Sequence, residues 1–176
     1  MADTAAGIAK YDLHLHTCWS YDATAAVSGY FEKAQTHGIK CLVITDHHNL
    51  DGVTEVAEVA SRFPQIFTFS GAELTVSTAN SSIDLLCYGF PRELPIAMQK
   101  VQELYHSWQR ECGAGFVRGM QACGYSYTEA DHETLLRMYR PERVMAKQGV
   151  THSLGRAQFL NCLKQGYISS DAEYPV

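Results

Sequence analysis

Long hydrophobic runs, surplus basic charge and paired cysteines are all scarce in this sequence, and each shortage argues against a class of protein. No stretch approaches the roughly 18 consecutive apolar residues that a membrane-spanning helix needs, so no membrane partner is expected. The segment 1–10 is Ala-rich and carries Asp3, without the basic start and apolar stretch of a secretory signal; a cytoplasmic location is expected. Lys and Arg number 14 against 19 Asp and Glu, a formal net charge of -5, where a dedicated nucleic-acid scaffold needs a basic excess. Bound divalent cations would reverse that charge locally. The cysteines at 18, 41, 87, 112, 123 and 162 include no C-x-x-C pair, which argues against a cysteine-rich zinc site and, with no secretion signal, against a disulfide framework. Cys41 and Cys87 lie in apolar runs and are expected to be buried thiols. What remains is an ordinary globular balance, 46% hydrophobic and 19% charged over 176 residues, enough for one domain, without repeats or low-complexity segments.

Along the chain, Tyr11 to His16 reads as a short strand and Thr24 to His37 as a helix stopped by Gly38. Cys41-Leu42-Val43-Ile44 is a continuous apolar run, the pattern of a strand buried on both faces. Asp51 to Arg62 reads as a second helix, Ile66 to Val76 as a strand, and Ile83 to Tyr88 as another after the polar turn Thr78 to Ser82. This alternation is the opening of a parallel α/β fold. Near Phe90 the pattern turns helical: Pro95 to Cys123, weakened by Gly113, Gly115 and Gly119; a helix begun and capped by Thr128; and a last helix from Ser153 to Lys164. A (β/α) barrel of normal size needs more chain than this.

The histidines carry the chemistry. His14 and His16 stand at i and i+2 on a strand, so their imidazoles share a face. The next strand runs out into Asp46-His47-His48, and the third carries Glu73 within Gly71-Ala72-Glu73. In parallel α/β folds functional groups gather at the C-terminal ends of strands, and three successive strands here deliver imidazole and carboxylate to that edge. Singly, each has a plain structural explanation; together they point to a metal site, and the mixture suits zinc, manganese or iron better than calcium. The aromatic group Tyr105, Trp108, Tyr125, Tyr127 and Tyr139 fits either the core of a helical subdomain or a surface that stacks a nucleobase.

The sequence resembles the PHP (polymerase and histidinol phosphatase) family through Asp12-Leu13-His14-Leu15-His16-Thr17, Ser20-Tyr21-Asp22, Gly38-Ile39, Ile44-Thr45-Asp46-His47 and Gly71-Ala72-Glu73, with Leu154-Gly155-Arg156-Ala157-Gln158-Phe159-Leu160 similar to the end of the helical insertion in small PHP phosphoesterases. The resemblance implies part of a distorted (β/α)7 barrel with a helical insertion: barrel residues 8–90, insertion 91–150, and 151–176 leading back toward the barrel. It implies up to three divalent metals, manganese, zinc or iron, and hydrolysis of phosphate esters by water activated between them. His14, His16 and Glu73 would hold one metal, Glu73 bridging to a second, and Asp22 and His47 would help hold a third. Asp46 would orient an imidazole or the attacking water, and Arg156 would grip substrate phosphate; these two are the candidate catalytic residues. The expected partner is a small phosphorylated substrate, with a nucleotide as one candidate.

The sequence departs from the family pattern in three places. Asp22 stands one residue later than the acid of many relatives, whose place Tyr21 takes. Asp84 occupies the place of a metal-binding histidine and is either a harder ligand or an exposed edge acid. The later His-Pro and Asp-x-His ligand motifs are absent, so the chain reads as the first half of a PHP protein plus its insertion. The alternatives are a weakly active or non-catalytic metal-binding module, or the N-terminal piece of a polymerase-associated PHP domain. Barrel strands with an open edge are expected to self-associate or to pair with a complementary fragment.

Overall fold

The computed structural model describes residues 10–149 and Lys164. In chain order its elements are β1 (Tyr11–Leu15), α1 (Val27–His37), β2 (Cys41–Ile44), α2 (Val53–Ala60), β3 (Gly71–Ser77), β4 (Ser82–Tyr88), α3 (Ile96–Ala122), α4 (Glu129–Tyr139) and α5 (Glu142–Gln148). The expected last helix and Arg156 lie outside the described residues, apart from Lys164, which is helical.

β1 and β2 pair in parallel, Tyr11 opposite Cys41 and Leu15 opposite Ile44, with a shift of register between Asp12 and Leu15. The parallel run extends one segment further. Leu42 N–H donates to the Phe67 carbonyl (3.0 Å) below, and His48 N–H to the Glu73 carbonyl (2.8 Å) at the other end. Three segments therefore finish at one edge, and that edge carries the histidines. The opening strands are thus parallel as expected, and β4 ends that run. It returns antiparallel to β3, Gly71 opposite Tyr88 and Ser77 opposite Ser82. The turn 78–81 joining them is closed by Thr78 N–H on the Ser81 carbonyl (2.7 Å). A turn of that length permits only a hairpin, because a parallel return needs a crossover of about a dozen residues or more.

The core follows from the apolar patterning. Val27, Phe31 and Ala34 of α1 and Val56 and Val59 of α2 turn onto Leu42 and Ile44 of β2, joined by Trp19, Ile66 and Val144. Each Val, Leu, Ile or Phe side chain among them contributes about 1.5–3 kcal/mol when fully buried. α1 ends where Gly38 takes φ 70°, a left-handed conformation that lets its N–H reach back to the carbonyls of Ala34 and Gln35. Gly71 serves a different purpose: a Cβ there would stand 2.7 Å from Val43 Cγ1 and 3.0 Å from the Ile44 carbonyl oxygen. Only glycine lets β3 lie this close to β2.

The helical part is continuous with that core, since Val144 of α5 belongs to it. α3 runs unbroken through its glycines. Its inward face repeats as Met98, Tyr105, Gln109, Gly113, Val117 and Met120, so packing overrides the weak propensity of glycine. Thr128 caps α4 as expected, reciprocally with Asp131. α5 was not expected from the sequence. Cys41 and Cys87 are only partly buried, which corrects the expectation for both thiols. Cys87 sits on the hairpin, whose outer residues, Ile83 and Leu85 among them, are exposed.

Candidate metal centre

β1 ends at Leu15 with His14 inside it and His16 just after it, and the two-residue spacing turns both imidazoles to the site edge. β3, held against β2 by Gly71, brings in Glu73, which is buried. Its Oε2 lies 2.9 Å from His14 Nε2 and 2.7 Å from His16 Nε2, and those two nitrogens are 3.2 Å apart. The other ring nitrogen of His16, Nδ1, lies 3.1 Å from Asp22 Oδ2, and His47 Nε2 is 3.4 Å from the same oxygen. Two groups thus converge, His14 with His16 and Glu73, and His16 with Asp22 and His47, each with ligand atoms within 4.8 Å of one another.

Two further observations show that this donor set fits a cation. Burial works to lower the His16 pKa, yet the Asp22 hydrogen bond and the charges of Asp22, Glu73 and Asp46 outweigh it and raise it above its ordinary value. A site that tightens the hold of an imidazole on its proton is short of positive charge. Burial likewise works to raise Asp22, but hydrogen bonds from His16, His47 and Ser20 hold its carboxyl well below the usual range. Second, the buried His47 Nδ1 has no hydrogen-bond partner among the described residues. Imidazole and carboxylate in this proportion suit a divalent transition metal or manganese.

The support around these groups contains residues that the sequence did not single out. Asp46 is buried and accepts from Thr17 N–H (2.6 Å) and Thr17 Oγ1–H (2.9 Å). Burial pushes its carboxyl up to about 6 against those hydrogen bonds. One oxygen therefore holds the backbone that follows His16 and the other the Thr17 hydroxyl. Ser20 Oγ–H donates to Asp22 Oδ1 (2.6 Å), and Ser20 Oγ itself accepts from His47 N–H (3.3 Å). Beneath this loop the buried Arg140 guanidinium donates to Gln148 Oε1 (3.0 Å), and Gln148 Nε2 donates to the Trp19 carbonyl (2.9 Å). Contacts that join residue 19 to residue 148 leave no local signal in a sequence. Ser20 was legible only as part of Ser20-Tyr21-Asp22.

Asp84 stands outside both groups. It is exposed on β4 opposite Thr75, and its charge reaches Tyr21 and His48 at the rim. His48 takes φ 54°, a left-handed turn; its ring stacks 5.8 Å from His47 and belongs to neither ligand group. The aromatic group divides: Tyr125, Tyr127 and Tyr139 pack with Val117, Met120 and Leu135, while Tyr105 is buried against His48 and Trp108 is exposed beside Tyr21.

The PHP domain model matches residues 12–166. The chain belongs to the PHP domain family. This PHP domain is similar in fold to an amidohydrolase from Chromobacterium violaceum solved with sulfate and no metal, with a TM-score of 0.66 at 20% identity over 91% of this chain. It is also similar to a protein from Bifidobacterium adolescentis whose name places it among metal-dependent phosphoesterases, with a TM-score of 0.64 at 17% identity over 97% of this chain. The chain spans 51% and 59% of the lengths of those two proteins. No curated protein matches the sequence. Among the described residues no helix is long and apolar enough to cross a membrane.

Proposed function

We propose that this PHP domain contributes to the metal-dependent hydrolysis of small phosphate esters, a nucleotide being one candidate substrate. The observation that carries this reading is the convergence of His14, His16 and Glu73 beside His16, Asp22 and His47. Those residues would hold manganese, zinc or iron. When bound, such ions acidify water and neutralise phosphoryl oxygens. The protein's own part is placement. Gly71 sets the depth of Glu73, Ser20 aims Asp22, and Asp46 fixes the Thr17 backbone so that His16 keeps its direction. Arg156 would take the phosphate through its planar pair of donors. The described strands fit the opening part of the distorted (β/α)7 barrel, and the exposed outer face of the hairpin supports association with a second copy or a complementary fragment. The second reading, a metal-binding module without turnover, is favoured by one observation: Asp84 stands outside both ligand groups.

The test combines elemental analysis with phosphate release at neutral pH. The His14→Ala, His16→Ala double variant is expected to lose most bound manganese or zinc and any metal-dependent phosphate release. Unchanged metal content in that variant would refute the assignment. Bound metal without phosphate release from any small ester would decide for the second reading.

A further inference from the structure

The two ligand groups are held by different means. His14, His16 and Glu73 lie on or beside strands whose spacing the backbone ladder sets. Asp22 has no ladder. It stands in the turn segment between β1 and α1, yet its Oδ2 lies within 3.4 Å of His47 Nε2. Two side-chain amides account for that placement. Asn49 Nδ2–H donates to the His47 carbonyl (2.7 Å) and to the Trp19 carbonyl (3.3 Å), so one amide joins the segment carrying His47 to the segment carrying Asp22. From α5, Gln148 Nε2–H donates to the same Trp19 carbonyl (2.9 Å) and to Asp51 Oδ2 (3.0 Å). Asp51 carries the contacts on to His106 of α3 (2.9 Å). Asn49 and Gln148 are both buried, as is Arg140 beside them.

The neighbours of both amides fix their orientation. Asn49 Oδ1 accepts from Asp51 N–H (3.1 Å), and Gln148 Oε1 accepts from the Arg140 guanidinium (3.0 Å), a group that can only donate. The NH2 end of each must therefore face the Trp19 carbonyl, whose two lone pairs take one donor each. A buried network paired in this way specifies one arrangement of its members. We infer that Asn49 and Gln148 are positioning residues for the second ligand group: they clamp the Trp19 carbonyl, three residues before Asp22, and so hold Asp22 against His47. The inference rests on the metal-site reading and says how the Asp22–His47 position is controlled, by the helical part through Gln148 as well as by the strand ends. His16 serves both groups, but its direction is secured separately, through Thr17 and Asp46. The group of His14, His16 and Glu73 needs neither amide, so binding at the two positions should come apart when the clamp is removed.

The test is titration of the metal-free chain with manganese, the free ion being counted by electron paramagnetic resonance, in wild type, Asp22→Ala, Asn49→Asp and Gln148→Glu. Each of the last two keeps its acceptor oxygen for Asp51 N–H or Arg140 and loses the donors that grip the Trp19 carbonyl. Each also adds negative charge, which by itself would tighten the hold on a cation. The clamp predicts the opposite sign: the class of manganese that Asp22→Ala removes should bind roughly 10-fold more weakly in both variants, and the other class as in wild type. The cobalt(II) absorption lost in Asp22→Ala should weaken likewise. In an Asp22→Ala background neither substitution should change manganese binding further. Unchanged or tighter binding at the Asp22-dependent class overturns the inference. So does equal weakening of both classes in both variants, which assigns the amides to the fold at large, and so does an undiminished effect without Asp22. If circular dichroism shows that one variant fails to fold, the other decides. A single class of manganese indifferent to Asp22→Ala overturns the inference and leaves His14, His16 and Glu73 standing. Absence of manganese binding by wild type overturns the metal-site reading and this inference together.

Discussion

Replacing Gly71 by alanine adds a single carbon at the tightest contact between β2 and β3. The new Cβ would stand 2.7 Å from Val43 Cγ1, 3.0 Å from the Ile44 carbonyl oxygen and 3.0 Å from Thr45 Cγ2. Val43 and Thr45 are fully buried and the Ile44 contact is backbone, so no flexible end can swing aside. Ordinary contact begins near 3.4 Å, which asks the strands to part by several tenths of an ångström. Overpacking of this kind costs about 1–3 kcal/mol, while stiffening the unfolded chain returns about 0.4–1 kcal/mol. The expected net loss is roughly 1–2 kcal/mol, a fall of about 1 M in urea midpoint at the usual slope for a small protein. Gly119 is the control. It lies inside α3 with nothing within 4 Å of a new Cβ, so the same substitution should stabilise by about 0.5–1 kcal/mol through helix propensity alone. Because Glu73 lies two residues beyond Gly71, the strand shift should also weaken manganese binding about 10-fold in Gly71→Ala, and Gly119→Ala should leave it unchanged. Urea midpoints moving in the same direction for both variants would refute the reasoning.

Asp46→Ala should cost about 3 kcal/mol in urea denaturation, since it strands the buried Thr17 N–H and hydroxyl; a loss below about 1 kcal/mol would show that Thr17 finds other partners. The Glu55–Arg143 pair gives a pH prediction. Burial works to raise Glu55, but the hydrogen bonds from Arg143 and Trp19 hold its folded pKa below 4.5, so its stabilisation is present above that pH and is lost as pH falls through the folded value. Arg143→Met should therefore cost about 0.5–1 kcal/mol at pH 7 and less near pH 3, the size being limited by the exposure of Arg143; a pH-independent difference in urea midpoint would contradict it. Sedimentation velocity over a range of concentrations should show association, because Ile83, Leu85, Val76 and Tyr88 are exposed on the hairpin; a monomer at high concentration with sharp cooperative melting would count against it.

The parts of the fold that were legible in the sequence are those written into nearby residues. The apolar run Cys41 to Ile44, the stop at Gly38 and the cap at Thr128 each specify their element through contacts a few positions away. The direction of β4 was not read, because alternation does not record whether a neighbour runs parallel; the short turn 78–81 held that information. β3 begins at Gly71 rather than Ile66 because the chain before it touches β2 only around Phe67. α5 was missed although Pro141 precedes it, Glu142 opens it and Lys147 lies in its last turn. At the site, residues carried by strand ends could be listed from spacing, since the family pattern and the period of two both mark them. Thr17, Arg140 and Gln148 could not, for their partners are supplied by tertiary folding. The same is true of the division of the aromatic residues between core and rim.

The length of α3 has a mechanical consequence. The helix starts at Ile96 beside the hydrophobic cluster of Leu50, Ala72 and Met98, and passes the site farther along, at Tyr105 and Trp108. At 1.5 Å per residue Trp108 sits about 18 Å along the axis from Ile96, so a pivot of about 5° at the base would carry the indole about 1.6 Å across the opening. The same helix is pinned part-way by His106, 2.9 Å from Asp51. α3 is thus held near its start and again at His106, so the position of Trp108 relative to the ligand groups depends on the angle of one rod.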